Sequence, residues 1–541
     1  MTKPWQYEGE QLTSTIDYNF PKFSLLWNVL SSPKEMLEFV LPLLFGFLAL
    51  YLISVRFSRT RRDGEPPLVN GWIPFLGKAL EFRKNAHGFL AAHKEKHGDV
   101  FTVLIAGKYM TFIMNPLLYP YVIKHGKQLD FHEFSDQVAP VTFGYPPVRS
   151  GKFPGMDEHI QRSFRLLQGN NLDNLTESMM GNLMLVFHKD YLDGESEWRT
   201  ESMYQFCNSV MFEATFLTMY GKPAHTNRHS GMVMLRKDFV KFDNMFPLLI
   251  ARIPISLLRG TKTIRDKLIN YFHPQRMSTW SNTSGFIKER AALFEQYDCM
   301  GDIDKAAHHF AILWASVGNT VPATFWAMYY LLTHPEALAV VREEIHCVLK
   351  VSGLEADHNR DVTFTREQLD SLLYLESSIN ESLRLSSASM NIRVAQEDFS
   401  LRLEGERSIG VRKGDIISLY PQSMHMDPEI YENPEMYKFD RYVEDGKEKT
   451  DFYKDGQKLK YYRMPFGSGS SKCPGRYFAV NEIKQFLSLL LLHFDMEVVE
   501  GQEPCSLDSS RAGLGILLPA TDVQIHYRPR QAREEEGGTS V

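Results

Sequence analysis

Cysteine is scarce in this chain. Its five cysteines, Cys207, Cys299, Cys347, Cys473 and Cys505, are odd in number and form no C-x-x-C pair. That argues against a disulfide framework and for a catalytic domain in a reducing compartment. An excess of positive charge is also missing: 60 Lys and Arg stand against 66 Asp and Glu, and the net charge of -6 offers no general attraction to nucleic acid. There is no internal repeat, and residues 1–35 are mixed and polar without low-complexity bias. What the chain does have is apolar and aromatic surface, 43% and 12% of 541 residues, enough to bury a large core in one big or two smaller domains.

Two long uncharged runs stand out. The first, residues 39–55, has the length of one slightly short membrane span. Arg56, Arg59, Arg61 and Arg62 follow it, so the positive-inside rule leaves the N-terminus outside and the remainder cytosolic. A cleaved signal peptide would carry its apolar region nearer the start and small residues at its end, so this reads as an uncleaved anchor. The organisation expected is a non-cytosolic segment 1–35, an anchor 36–55, a basic Pro/Gly-rich linker 56–77, a catalytic domain 78–529 and a disordered tail 530–541. Thr539-Ser540-Val541 fits a carboxylate-capturing recognition pattern, with an ordinary tail as the commoner reading.

Within the catalytic part, residues 100–105 and 109–114 read as a strand pair turned at Gly107-Lys108, and 415–420 as a further strand. Most of the rest up to Leu349 reads as helix. The apolar stretch 246–258, interrupted by Arg252, fits core packing and a second membrane contact equally well.

The second uncharged run, residues 310–333, is long enough to span a membrane, but Ser316, Asn319, Thr320 and Thr324 fall on one helical stripe. An apolar helix with one polar stripe is better read as buried, with the stripe lining a cavity. Pro322 has no N–H for the carbonyl of Gly318, so the helix should bend there and open a notch beside Thr320.

The stretch from Phe466 to Gly475 sets Cys473 between glycines, directly before an apolar helical run. A thiolate bound to haem iron favours O–O cleavage. Such a ligand needs a loop whose N–H groups turn towards sulfur, which Gly467, Gly469, Pro474 and Gly475 suit. It also needs an aromatic beside the macrocycle, for which Phe466 is placed. Upstream, Thr365 and Gln368 fit a capping box opening a helix that carries Glu381 and Arg384 on one face.

The pattern F-x-x-G-x-x-x-C-x-G, with Thr320, Glu381-x-x-Arg384 and Phe439-Asp440-Arg441, resembles the cytochromes P450, the haem-thiolate monooxygenases. The resemblance runs from Gly64 to Tyr527. It implies a mainly α fold with small β-sheets, haem b held by Cys473, and electrons from NADPH through a cytochrome reductase. It further implies a buried Glu381–Arg384–Arg441 cluster behind the haem loop, Arg393 at a haem propionate, and oxygen activation at Thr320. Three departures matter. Asn319 replaces the acid of the family's acid-Thr pair, Ser471 replaces a basic residue before the cysteine, and the usual Trp-x-x-x-Arg propionate contact has no counterpart near His159 to Arg165.

Residues 64–68, 314–316, 319–320, 383–387 and 510–511 are similar to the sterol 7α-hydroxylases. Residues 99–104 and 327–332 look like the oxysterol (25-hydroxycholesterol) 7α-hydroxylase, and 388–393 and 512–516 like the cholesterol 7α-hydroxylase. The branch implies a sterol substrate, a place in bile acid and oxysterol metabolism, and the endoplasmic reticulum membrane. The rivals are a haem-thiolate isomerase of prostacyclin-synthase type, a non-enzymatic haem sensor, and a protein whose Cys473 binds nothing.

Overall fold

In the computed structural model, the described residues are 41–42, 44–46, 48–49, 51–52, 59–73, 75–149, 151–192, 197–223, 228–353 and 362–530. The chain divides into two units, Met1–Thr60 and Arg61–Val541. In the first, the described residues from 41 to 52 are helical and expose Leu44, Phe45, Leu48 and Leu52. Among the described residues no helix is long and apolar enough to cross a membrane. Much of the expected anchor 36–55, all of 1–35, and 531–541 of the tail, with Thr539-Ser540-Val541, lie outside the described residues.

The second unit is mainly helical with small sheets, and its core follows from six helices. They are α1 (Asn171–Phe187), α2 (Met203–Tyr220), α3 (Asp302–Val317), α4 (Thr320–Thr333), α5 (Leu373–Ser386) and α6 (Arg476–His493). Helix α2 carries one charged residue, Glu213, and is buried almost all round, as expected of a helix without a polar face. Ser202 caps its start through Gln205 N–H, and Gly221, at φ 82°, ends it. Helix α4 packs on α2, α5 and α6, and α6 also on α1 and α5. These helices therefore share one core.

Beside them lies a six-stranded sheet. Its order is Leu68–Val69, Val100–Ile105, Lys108–Ile113, Ile416–Leu419, Asn391–Ala395 and Leu129–Asp130. The expected hairpin forms, with its turn at Ala106-Gly107, one residue earlier than the sequence suggests, both at positive φ (46° and 77°). A two-residue hairpin loop of this kind matches strand twist. The expected strand 415–420 shortens to Ile416–Leu419, four buried residues between two neighbours. Opposite it, Arg393 pairs in register with Ile417.

Two expected helices are each divided. The run 310–333 breaks at Gly318-Asn319, so Pro322 occupies the third position of α4, not a helix interior. Its missing N–H then falls among donors that have no intrahelical acceptor in any case, and no interior hydrogen bond is lost. The helix opened by the Thr365–Gln368 capping box stops at Asp370, and α5 begins afresh at Leu373. A carboxylate from another helix permits this restart: Glu344 accepts from Tyr374 N–H at 2.8 Å and Leu375 N–H at 2.9 Å. In the stretch 246–258, Phe246 stacks on Trp314 with centroids 4.0 Å apart, while Leu257 is exposed.

Glu344→Ala leaves those first-turn donors without their acceptor, and caps of this kind are worth about 1–2 kcal/mol. Thermal unfolding should show a midpoint lowered by several degrees. An unchanged midpoint would mean that solvent replaces the carboxylate.

Candidate active site

The Cys473 loop is shaped by two left-handed glycines, Gly467 at φ 73° and Gly469 at φ 57°. A Cβ on Gly467 would come within 2.9 Å of the Ser471 carbonyl oxygen. Gly475 does not share that demand: at φ −88° it caps the start of α6, and a Cβ there would meet only Leu167 at 3.8 Å. Cys473 is half-buried, and its N–H donates to Phe466 O at 2.8 Å. Burial pushes the thiol above its ordinary pKa, while the backbone N–H groups of Gly475 and Arg476 and the charge of Arg476 act in the opposite sense. A sulfur at the start of an 18-residue helix, facing two N–H donors, is ready to be held as thiolate by a metal cation.

Arg393 supplies a second indication. Its side chain is 1% exposed and its Nη2 donates to Ser468 O at 2.8 Å, but Nε and Nη1 are buried without partners. Burial lowers its pKa. A buried guanidinium with two unpaired nitrogens is costly unless an anion completes it. Ser468 Oγ also donates to Asn391 Oδ1 at 3.0 Å, which ties the cysteine loop to the strand of Arg393. A thiol awaiting a metal and a cation awaiting a carboxylate, joined through Ser468, fit a haem.

Behind this loop, Glu381 is wholly buried and takes three charged hydrogen bonds of 2.8 Å: Arg384 Nε and Nη2, and Arg441 Nε. The remaining guanidinium donors find main-chain carbonyls, Arg384 Nη1 at His425 (2.6 Å), and Arg441 Nη1 at Glu432 (2.7 Å) and Nη2 at Met436 (2.9 Å). The face of Tyr431 lies 5.0 Å from the Arg384 guanidinium. The E-x-x-R pair and the distant arginine are thus brought together.

At the break before α4, Thr320 is 6% exposed and its hydroxyl interacts with the carboxyl of Glu482 on α6. Asn319 Oδ1 accepts from Ile516 N–H at 3.0 Å. Gly515 permits that approach, since a Cβ at its φ of 128° would fall 2.2 Å from Oδ1. The other members of the expected cavity stripe turn inward on their own helix: Ser316 donates to Ile312 O and Thr324 to Thr320 O, both at 2.9 Å.

Sequence reasoning missed two groups. Asp243 accepts from Trp314 Nε1 at 2.8 Å and from Arg511 at 2.8 and 3.1 Å, joining the end of helix Arg228–Asp243, α3 and the C-terminal loop. Trp314 and Arg511 lie in stretches already singled out, but no spacing points from them to Asp243. The second is Glu482, fully buried, with Thr215 Oγ1 donating to Oε2 at 2.8 Å and Oε1 unpartnered. Burial raises its pKa to about 8, against the two hydroxyls.

Removing one partner of a buried ion pair costs about 3–5 kcal/mol. Glu381→Ala, which strands two buried guanidinium groups, should therefore give little haem-loaded protein and a much lower unfolding midpoint. Normal haem content and stability would refute the structural importance of this cluster.

The Cytochrome P450 family model matches residues 66–527 of the chain. Cytochrome P450 7B1 of Mus musculus is 45% identical over 490 residues, 90% of this chain and 96% of that protein. Cholesterol 7-alpha-monooxygenase of Cricetulus griseus is 44% identical over 88% of this chain and 96% of its own length. A 25-hydroxycholesterol 7-alpha-hydroxylase of Rattus norvegicus is 43% identical over 77% of this chain and 100% of its own length. With its thiol loop, its incomplete buried arginine and its Glu–Arg–Arg cluster in one fold, the chain belongs to the cytochrome P450 family.

Proposed function

We propose that this chain is a membrane-anchored sterol 7α-hydroxylase acting on an oxysterol such as 25- or 27-hydroxycholesterol. The observation that carries the reading is identity above 40%, over most of the chain, to relatives named for 7α-hydroxylation of cholesterol and of 25-hydroxycholesterol. Identities of 43% and 44% do not separate those two sterols, so cholesterol is the second reading.

The haem, when bound, supplies activation of dioxygen and insertion of one oxygen atom into a C–H bond, with electrons from NADPH through a reductase. Cys473 would hold the iron as thiolate, steadied by the N–H groups of Gly475 and Arg476. Arg393 would pair with a propionate through Nε and Nη1, and Phe466 would pack beside the ring. Gly467 and Gly475 give the loop its shape and the helix its start. Glu381, Arg384 and Arg441, all buried and paired, would hold that loop from behind in a structural role. Thr320 would move protons into the cavity. Asn319 would fix the loop around Ile516, one wall of the sterol site. The uncharged run 39–55 and its flanking arginines support an anchor at 36–55 in the endoplasmic reticulum membrane, a linker at 56–77 and a cytosolic catalytic domain at 78–529.

Incubation of the haem-loaded chain with reductase, NADPH and a panel of sterols, with products identified by mass spectrometry, should show 7α-hydroxylation. Cys473→Ser should abolish both product and the thiolate signature of the carbon-monoxide difference spectrum. No sterol product from the native chain would sink the reading, and an unchanged spectrum in the variant would sink the ligand assignment.

Thr320→Ala should keep sterol binding but lower product per NADPH and raise hydrogen peroxide. Asn319→Leu should instead lower stability by about 1–3 kcal/mol, because Ile516 N–H loses its acceptor, and weaken sterol binding in a spectral titration as the loop around Ile516 loosens. Full coupling in the first variant, or normal binding in the second, would reverse this division of labour.

A further inference from the structure

We propose that the cavity between the helix His132–Phe143 and the six-stranded sheet binds the anionic end of a sulfated sterol. The anion site stands on geometry and charge. The sterol part of the ligand rests on the hydroxylase reading above, which uses none of the residues that line this cavity.

A cavity of about 300 Å³ opens where five stretches of chain meet. Its floor is apolar: Val394, Ala395 and Ile416 are buried residues of the sheet, and Phe134 joins them from the helix. Three cations share the lining with that floor. Lys108 comes from the start of strand Lys108–Ile113, Arg252 from the stretch 246–258, and Lys413 from the turn before strand Ile416–Leu419. Among the described lining residues the one acid is Glu133, and it already accepts from Gln137 Nε2 at 2.8 Å. Among the described residues none of the three cations pairs with a carboxylate. Like charges gathered in one concavity repel each other and attract a counter-ion, so an anion placed there is stabilised by all three.

The arginine is held in place against a backbone preference. Arg252 is not a glycine, yet its φ is 62°, a left-handed conformation that is costly for a residue with a side chain. Two hydrogen bonds keep it there, Arg252 N–H to Leu249 O at 2.9 Å and Ile253 N–H to Leu248 O at 3.1 Å, which close the short helix Phe246–Ile250. From this turn Arg252 Nη2 donates to Gln137 Oε1 on the helix His132–Phe143. Gln137 thus holds Glu133 with its amide nitrogen and Arg252 with its amide oxygen. Its amide stands between the acid and the cation, and the guanidinium keeps donors for another acceptor.

This lining selects an amphiphile. A guanidinium with two ammonium groups suits a tetrahedral oxyanion, which can accept charge-assisted hydrogen bonds from each of them. The aliphatic and aromatic floor suits a sterol ring. An inorganic anion gains nothing from the floor, and a neutral sterol gains nothing from the cations. At this volume the cavity takes one end of a sterol, not the whole of it.

The test is a calorimetric titration of the haem-loaded full chain in neutral detergent at low salt. The ligands are cholesterol, 25-hydroxycholesterol and the 3-sulfate ester of each. Each sulfate should bind about tenfold more tightly than its parent, the order expected of one charge-assisted contact. The gap should narrow as salt screens the partly exposed charges. Lys108→Gln combined with Lys413→Gln should remove the preference and leave the parent sterols unchanged. Glu133→Gln removes the one acid and should widen the preference. The two changes act in opposite directions at residues that are not buried, so a general loss of folding cannot imitate both. Octyl sulfate, inorganic sulfate and vesicles of anionic phospholipid should compete only weakly. Equal affinity for sulfate and parent, or a preference that ignores both variants, would overturn the inference. Competition by octyl sulfate or by the vesicles as strong as that of the sterol sulfates would overturn it too, because the occupant would then be any lipid anion or a membrane headgroup. Parent sterols that bind without a sulfate preference sink this inference alone, whereas no binding of any of the four sterols sinks the sterol reading on which it rests.

Discussion

The structure depends on one buried anion. Glu381 has no contact with water and pairs with two guanidinium groups. In so dry a place attraction alone does not repay desolvation. The cluster is tenable because the other donors end on the carbonyls of His425, Glu432 and Met436. Those carbonyls lie at the end of the short helix Pro421–His425 and in the chain after it, where residues 426–442 form neither helix nor strand. The ion cluster replaces a sheet or helix as its scaffold.

From there a short mechanical path leads to the cysteine. Arg384 grips the carbonyl of His425, and the His425 ring, kept neutral by burial and by the nearby Arg384 and Arg463, accepts from Met464 N–H at 3.2 Å. Two residues on, the Phe466 carbonyl accepts from Cys473 N–H. On the far side Ser468 ties the same loop to Arg393. The thiol is thus held between a buried ion cluster and a buried arginine. Rigidity of this kind lets a protein hold a ligand against a large planar group without collapse of the loop.

The opposite face is built around a discontinuity. Dividing α3 from α4 at Gly318-Asn319 lets the amide of Asn319 reach the backbone at Ile516 and brings Thr320 onto Glu482. The Asp243–Arg511 pair with Trp314 then joins the same C-terminal loop to α3 and the helix before it. Arg393 and Glu482 are two buried groups that remain incompletely hydrogen-bonded.

Much of this was legible without coordinates, because local chemistry leaves local marks. The glycine-flanked Cys473 before an apolar helix, Glu381 and Arg384 three residues apart, the Thr365–Gln368 capping box and the 100–113 hairpin all depend on neighbours in the chain. Such features are written in spacing and residue type. The break in the 310–333 run was only half legible: Pro322 announced a disturbance, but its place at the start of a new helix depends on what Asn319 finds across the core. The shortened helix after Thr365 likewise depends on Glu344 from elsewhere. Tertiary structure alone decided the pairing of Asp243 with Arg511, 268 residues apart, and the meeting of Thr215, Thr320 and Glu482. The physical reason is that burial and hydrogen-bond completion are properties of a position in space. An acid on an apolar helix reads as an ordinary Glu until the packing around it removes the water.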